Sequence, residues 1–162
     1  MRTVSAAVLL GLGVALGCGG GDGPLMRPGE DCMNCHDGSG GAPRWSVAGT
    51  VYACAEAGSG AGQDGVTVVV TDGAGTEITR MTSNSVGNFY TSKQVASPFH
   101  VYVERNGMKH EMGEAPTSGG CNGCHQVPPQ NGAPGRLYVD QASCSAAPLD
   151  ATQDAQPDSG EL

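Results

Sequence analysis

Gly65-Val66-Thr67-Val68-Val69-Val70-Thr71-Asp72 decides the fold class of this chain. Six consecutive β-branched residues, Val66 to Thr71, pack well on a pleated surface and lose rotamer freedom in a helix. A stretch this apolar on both faces reads as a central strand rather than an edge. Asp72-Gly73-Ala74-Gly75 follows as a turn, and Glu77–Thr82 as the next strand. Working outward, Ser46–Tyr52 (SVAGTVY) alternates in the strand period, and Asn88–Thr91 gives a short strand. Phe99–Arg105 and Met108–Met112 enclose Asn106-Gly107, the strongest short-range hairpin signal. A two-residue turn there sets Val103 opposite His110, Val101 opposite Met112 and Arg105 opposite Met108. Paired residues share a face. Met108, His110 and Met112 therefore join Phe99, Val101 and Val103 on the more apolar side, with His100 on the other. Outside the N-terminal segment no stretch has a helical period. The expectation is all-β, a small antiparallel sandwich over residues 46–113.

Composition bounds what this fold can carry. The chain has 162 residues, with Phe 2, Trp 1 and Tyr 4. One modest domain with a small core fits that length and aromatic content. The formal net charge of −8 argues against nucleic acid and anionic lipid surfaces as partners and suits a basic protein partner.

The chemistry lies outside the strands. Cys32-Met33-Asn34-Cys35-His36 and Cys121-Asn122-Gly123-Cys124-His125 both read CxxCH, the attachment signature of c-type haem. Two thiols at that spacing can add to the two vinyl groups of one porphyrin, and the following imidazole binds iron from below. With 7 Cys and 4 His in the chain, chance would produce such a pentapeptide on the order of 0.01 times. Two haem c groups are expected, on Cys32 and Cys35 and on Cys121 and Cys124, with His36 and His125 as proximal ligands. Zinc is the rival reading of paired CxxC motifs, but its pairs usually lie about 15–20 residues apart. Here they are separated by about 85.

The N-terminus places the chain outside the cytoplasm. Arg2 precedes the apolar stretch Val4 to Leu16, of secretory length and too short to span a bilayer as a mature helix. Ala15-Leu16-Gly17-Cys18 then resembles a bacterial lipoprotein signal, which implies lipidation of Cys18, an exported protein and an outer-membrane anchor facing the periplasm or the cell surface. Exported cysteines tend to be oxidised or covalently occupied. Lipid on Cys18 and thioethers on four others leave Cys54 and Cys144 as a disulfide pair, closing a loop of about 90 residues and contributing about 4–5 kcal/mol through loop-closure entropy. The expected organisation is a signal over 1–18, a flexible Gly/Pro-rich tether over 19–30 and a first haem-binding loop over 31–45. The β-domain over 46–113, a second haem-binding segment over 114–144 and a disordered acidic tail over 145–162 complete it.

Val47-Ala48-Gly49-Thr50-Val51, then Gly65 to Asp72, then Thr82-Ser83-Asn84-Ser85-Val86-Gly87-Asn88-Phe89-Tyr90 resemble the carboxypeptidase regulatory-like (transthyretin-like) β-sandwich family. The similarity covers about 65 residues. It implies a structural or binding domain without catalytic activity, so function falls to the haems. The first expectation is a membrane-tethered dihaem cytochrome c, not an enzyme, carrying single electrons between envelope redox partners. The second is a non-redox binding or adhesion module whose CxxC pairs are disulfides or zinc sites. His100, His110 and Met112 are the candidate distal iron ligands, and the sequence leaves the choice among them open.

Overall fold

The computed structural model describes residues 23–145. The expected signal, Cys18 and almost all of the expected acidic tail lie outside these residues. The regular structure of the described residues is mostly β-strand, arranged in two sheets, with a few single-turn helices. Among the described residues seven strands run in the order β1 (Val47–Tyr52), β2 (Thr67–Asp72), β3 (Glu77–Thr82), β4 (Asn88–Thr91), β5 (Phe99–Arg105), β6 (Met108–Glu111) and β7 (Leu137–Tyr138). One sheet has the order β4-β1-β7, the other β3-β2-β5-β6.

The valine run is central, as its composition predicts. β2 lies between β3 and β5, and Val68, Val69 and Val70 are fully buried. Val68 and Val70 join Val47, Val51 and Phe89 from the first sheet and Phe99, Val101 and Val103 from the second in one apolar cluster. Val69 points the other way. Its face carries Tyr102 and Arg80, whose long stems cover apolar surface while their polar ends reach water. Arg80 bridges Glu77 and Glu104 there, and Lys109 sits 3.9 Å over the Tyr102 ring.

The turns follow local chemistry. Asp72 Oδ1 accepts the amides of Ala74 and Thr76, closing the β2–β3 connection. Asn84 Oδ1 does the same for Val86 and Asn88 before β4. Asn106 and Gly107 take φ of 51° and 79°, the type I′ geometry that matches strand twist. The register of β5 and β6 follows: Val103 pairs with His110 and Arg105 with Met108. Met112 continues the pairing, donating its amide to the Val101 carbonyl at 3.0 Å.

Two features depart from the sequence reading. First, the pairing is not wholly antiparallel, because β1 and β7 run parallel. A parallel pair needs a long crossover, and here most of the domain lies between its two strands. Second, the described part of the expected tether, Gly23–Glu30, is docked on the body. Asn84 and Asn88 donate to the Pro24 carbonyl, Asn88 also to that of Met26, and the Gly29 amide donates to Thr50 Oγ1. This segment, together with Gly120, Asn122 and Arg136, covers the face of β1 that alternation would leave to solvent, and all six residues of β1 are buried.

Cys54 and Cys144 form a disulfide across a sequence separation of 90, tying the end of β1 to the helical turn α2 (Ala142–Ser145) beyond β7. Replacing both by Ser is expected to cost about 4–5 kcal/mol of stability. The change should appear as a lower denaturation midpoint and faster amide exchange at Leu137 and Tyr138. An unchanged midpoint would contradict this role.

Candidate functional site

The two CxxCH motifs fold alike. In the first, α1 (Met33–His36), the amides of Cys35 and His36 donate to the Cys32 carbonyl at 3.2 and 2.9 Å. In the second, which opens with a 3-10 turn over Cys121–Gly123, the amides of Cys124 and His125 donate to the Cys121 carbonyl at the same two distances. One helical turn thus gathers both cysteines and the histidine of each motif, since positions i, i+3 and i+4 are neighbours on such a turn.

Each histidine is then fixed by a carbonyl from a following loop. His36 Nδ1 donates to the Pro43 carbonyl at 2.7 Å, and His125 Nδ1 to that of Gly135 at 2.9 Å. A carbonyl can only accept, so Nδ1 carries the hydrogen in both rings and Nε2 keeps its lone pair. The rings themselves are buried, His36 being 5% and His125 8% exposed. His36 is further held by a parallel stack: Trp45 lies 3.4 Å from it at 3°, and Tyr90 lies 4.2 Å beyond at 9°. Burial holds the His125 imidazole below its ordinary pKa; the Gly135 hydrogen bond opposes this, and the nearby His110 adds to it.

The fold brings the two motifs together. Residues 119–122 run beside the first half of β1, with Gly120 bridged in parallel to Ala48 and the Ala48 amide donating to the Gly119 carbonyl. Gly49 admits this segment: a side-chain carbon there would stand 2.8 Å from Cys121 Cβ and 2.9 Å from Phe89 Cζ. Gly120 in turn lies against the start of the first motif, where an added carbon would be 2.9 Å from both Asp31 Oδ1 and Met33 Cγ. At the centre stands Thr50. Its amide donates to Asn122 Oδ1, and its hydroxyl accepts from Asn122 Nδ2 and the Gly29 amide while donating to Asn88 Oδ1. Asn122 Nδ2 also donates to the Glu30 carbonyl, one residue from Asp31 at the head of the first motif.

Electrostatics reports the same proximity. Burial, followed by the Asp31 carboxylate, pushes the Cys32 thiol up to about 11. Burial, followed by Cys32 itself, pushes Cys121 up to about 12. Thiols so raised stay protonated at neutral pH, unlike the activated thiolates of cysteine nucleophiles. Cys32, Cys121 and Cys124 are free thiols, whereas the Cys35 sulfur is in a disulfide.

The three candidate distal ligands separate. His110 is half-buried, donates Nδ1 to the Tyr138 carbonyl at 3.0 Å and packs edge-on against the Tyr138 ring at 4.5 Å. Met112 is half-buried on the same side of the hairpin. His100 pairs with Thr71 in mid-sheet on the opposite face, and among the described residues no hydrogen bond or ring contact links it to either motif. Sequence reasoning missed Thr50, Asn88, Asn122, Trp45 and the carbonyl partners of the histidines. The signal available was a threonine amid the apolar residues of β1 and an asparagine inside the second motif. Among the described residues, no three His, Cys, Asp or Glu side chains gather as a group for one metal ion. Comparison with protein-family models, curated proteins and solved structures finds no match to this chain.

Asn122→Ala removes three hydrogen bonds and strands the buried Thr50 amide, at an expected cost of about 2–4 kcal/mol. Denaturant unfolding measures it. A loss under about 0.5 kcal/mol, the range of neutral surface changes, would contradict the role given to Asn122.

Proposed function

We propose that this chain is an exported, lipid-anchored dihaem cytochrome c that passes single electrons between redox partners of the cell envelope, with a transthyretin-like β-sandwich as its scaffold. The observation that carries this reading is the matched construction of the two CxxCH motifs. Each presents two cysteines and a histidine on one turn, with Nδ1 donating to a carbonyl and Nε2 keeping its lone pair. That second-sphere bond is the usual device for orienting a metal-ligating imidazole.

In this reading Cys32 and Cys35 would hold one haem and Cys121 and Cys124 the other through thioether bonds. His36 and His125 supply the proximal nitrogens. When bound, haem c supplies a one-electron Fe(III)/Fe(II) couple. The chain's own contribution is to hold the two motifs side by side, orient both imidazoles through Pro43 and Gly135, and stack His36 against Trp45 and Tyr90. The negative charge favours basic partners, and no residue is assigned a catalytic role. Lipid at Cys18 would tether the domain to the outer membrane, facing the periplasm or the cell surface.

One observation favours a second reading, a non-redox binding module. Cys35 is disulfide-bonded, and attachment at the first motif needs it as a thiol. The two readings part in one experiment. Protein matured in a host able to attach haem c should give a c-type pyridine haemochrome and an intact mass increased by two haems. No covalent haem, with the cysteines paired in disulfides, would leave the binding module.

A further inference from the structure

We infer that His110 is the distal iron ligand of the second haem, an assignment that rests on the dihaem reading above. Three observations converge on it. First, His110 repeats the construction of the two motif histidines: Nδ1 donates to a backbone carbonyl, here Tyr138 at 3.0 Å, which leaves Nε2 as the metal-binding nitrogen. Second, the carbonyls that hold His110 and His125 belong to residues 138 and 135 of one short segment. Three residues of extended chain span at most about 10 Å, so the segment that orients the motif imidazole also orients His110. Third, the ring is fixed in two further ways. It lies edge-on to Tyr138 at 4.5 Å, and its backbone is locked by pairing with Val103 across the Asn106-Gly107 turn.

The competing residues lack this preparation. Met112 lies on the same side of the hairpin, but a methionine carries three rotatable bonds and no hydrogen that would fix its sulfur. His100 belongs to the far face of its sheet. With His110 in place, that iron would be held by two protein imidazoles. Such ligation lowers the reduction potential relative to His/Met and leaves no open position for a small ligand or a peroxide, which fits an electron carrier.

The test uses the haem-loaded full chain. The ferric wild type should show a low-spin bis-imidazole signal by electron paramagnetic resonance. In His110→Ala one of the two haems should become high-spin, and added imidazole should restore it, a rescue that a packing role would not give. Met112→Leu should leave the spectrum unchanged. Should His110→Ala fail to accumulate, His110→Met should introduce a far-red Met-to-iron band and raise the potential of one haem. Unchanged spectra in the His110 variants, or loss of a Met-to-iron band in Met112→Leu, would overturn the assignment. Haem content is read separately by pyridine haemochrome on every sample. Two haems with unchanged spectra refute this assignment alone, whereas a wild type without haem refutes the dihaem reading and the assignment with it.

Discussion

The hydrogen bonds around Thr50 are the constraint on which the rest of the site depends. A threonine in the middle of a strand buried on both faces brings a hydroxyl and an amide that must find partners. Asn122 satisfies both, and by doing so fastens the second motif to β1. The Gly29 amide takes the same hydroxyl, and Asn122 reaches on to Glu30, so the approach to the first motif is fastened to the same point. Asn88 closes the network from β4 and holds the Met26 carbonyl. Two segments about 90 residues apart in sequence meet because one buried threonine serves both. Each bond is worth only about 1 kcal/mol net, but leaving its buried partners unmade costs more, which makes the arrangement hard to vary piecemeal.

The β-domain supplies what this hub cannot. Its apolar cluster, drawn from both sheets, keeps β1 rigid and in register. The Cys54–Cys144 bridge holds the chain beyond β7 near the end of β1. That in turn positions Gly135 and Tyr138, whose carbonyls orient two histidines. The scaffold therefore acts on the proposed haem chemistry through backbone carbonyls and glycine-permitted close approach. Function on such a fold resides in what is grafted beside the strands.

Much of the fold was legible in the sequence, for physical reasons that can be named. The valine run could only be a central strand, and Asn-Gly imposed a turn whose geometry set the β5–β6 register residue by residue. The CxxCH spacing foretold which residues share a turn, and the cysteine count pointed to the Cys54–Cys144 bridge but not to the disulfide at Cys35. What stayed hidden was tertiary. Alternation in Ser46–Tyr52 signals one covered face, and nothing local says that residues 24–31 cover the other. The Gly/Pro content of 19–30 reads as a loose tether, but carbonyls at Pro24 and Met26 have specific partners about 60 residues away. The parallel β1–β7 pair involves only two residues, too few to leave a pattern. His110, Met112 and His100 could be sorted onto faces by period alone, whereas the carbonyl that prepares His110 lies 28 residues further on.

One buried polar hub sets the two motifs side by side, so the two proposed haems would form a coupled pair. Electron paramagnetic resonance of the fully ferric holoprotein tests this directly, because neighbouring paramagnetic irons broaden and split each other's signals. The expected result is an interacting spectrum that becomes the sum of two independent haems in Asn122→Ala. Two independent signals in the wild type would contradict it.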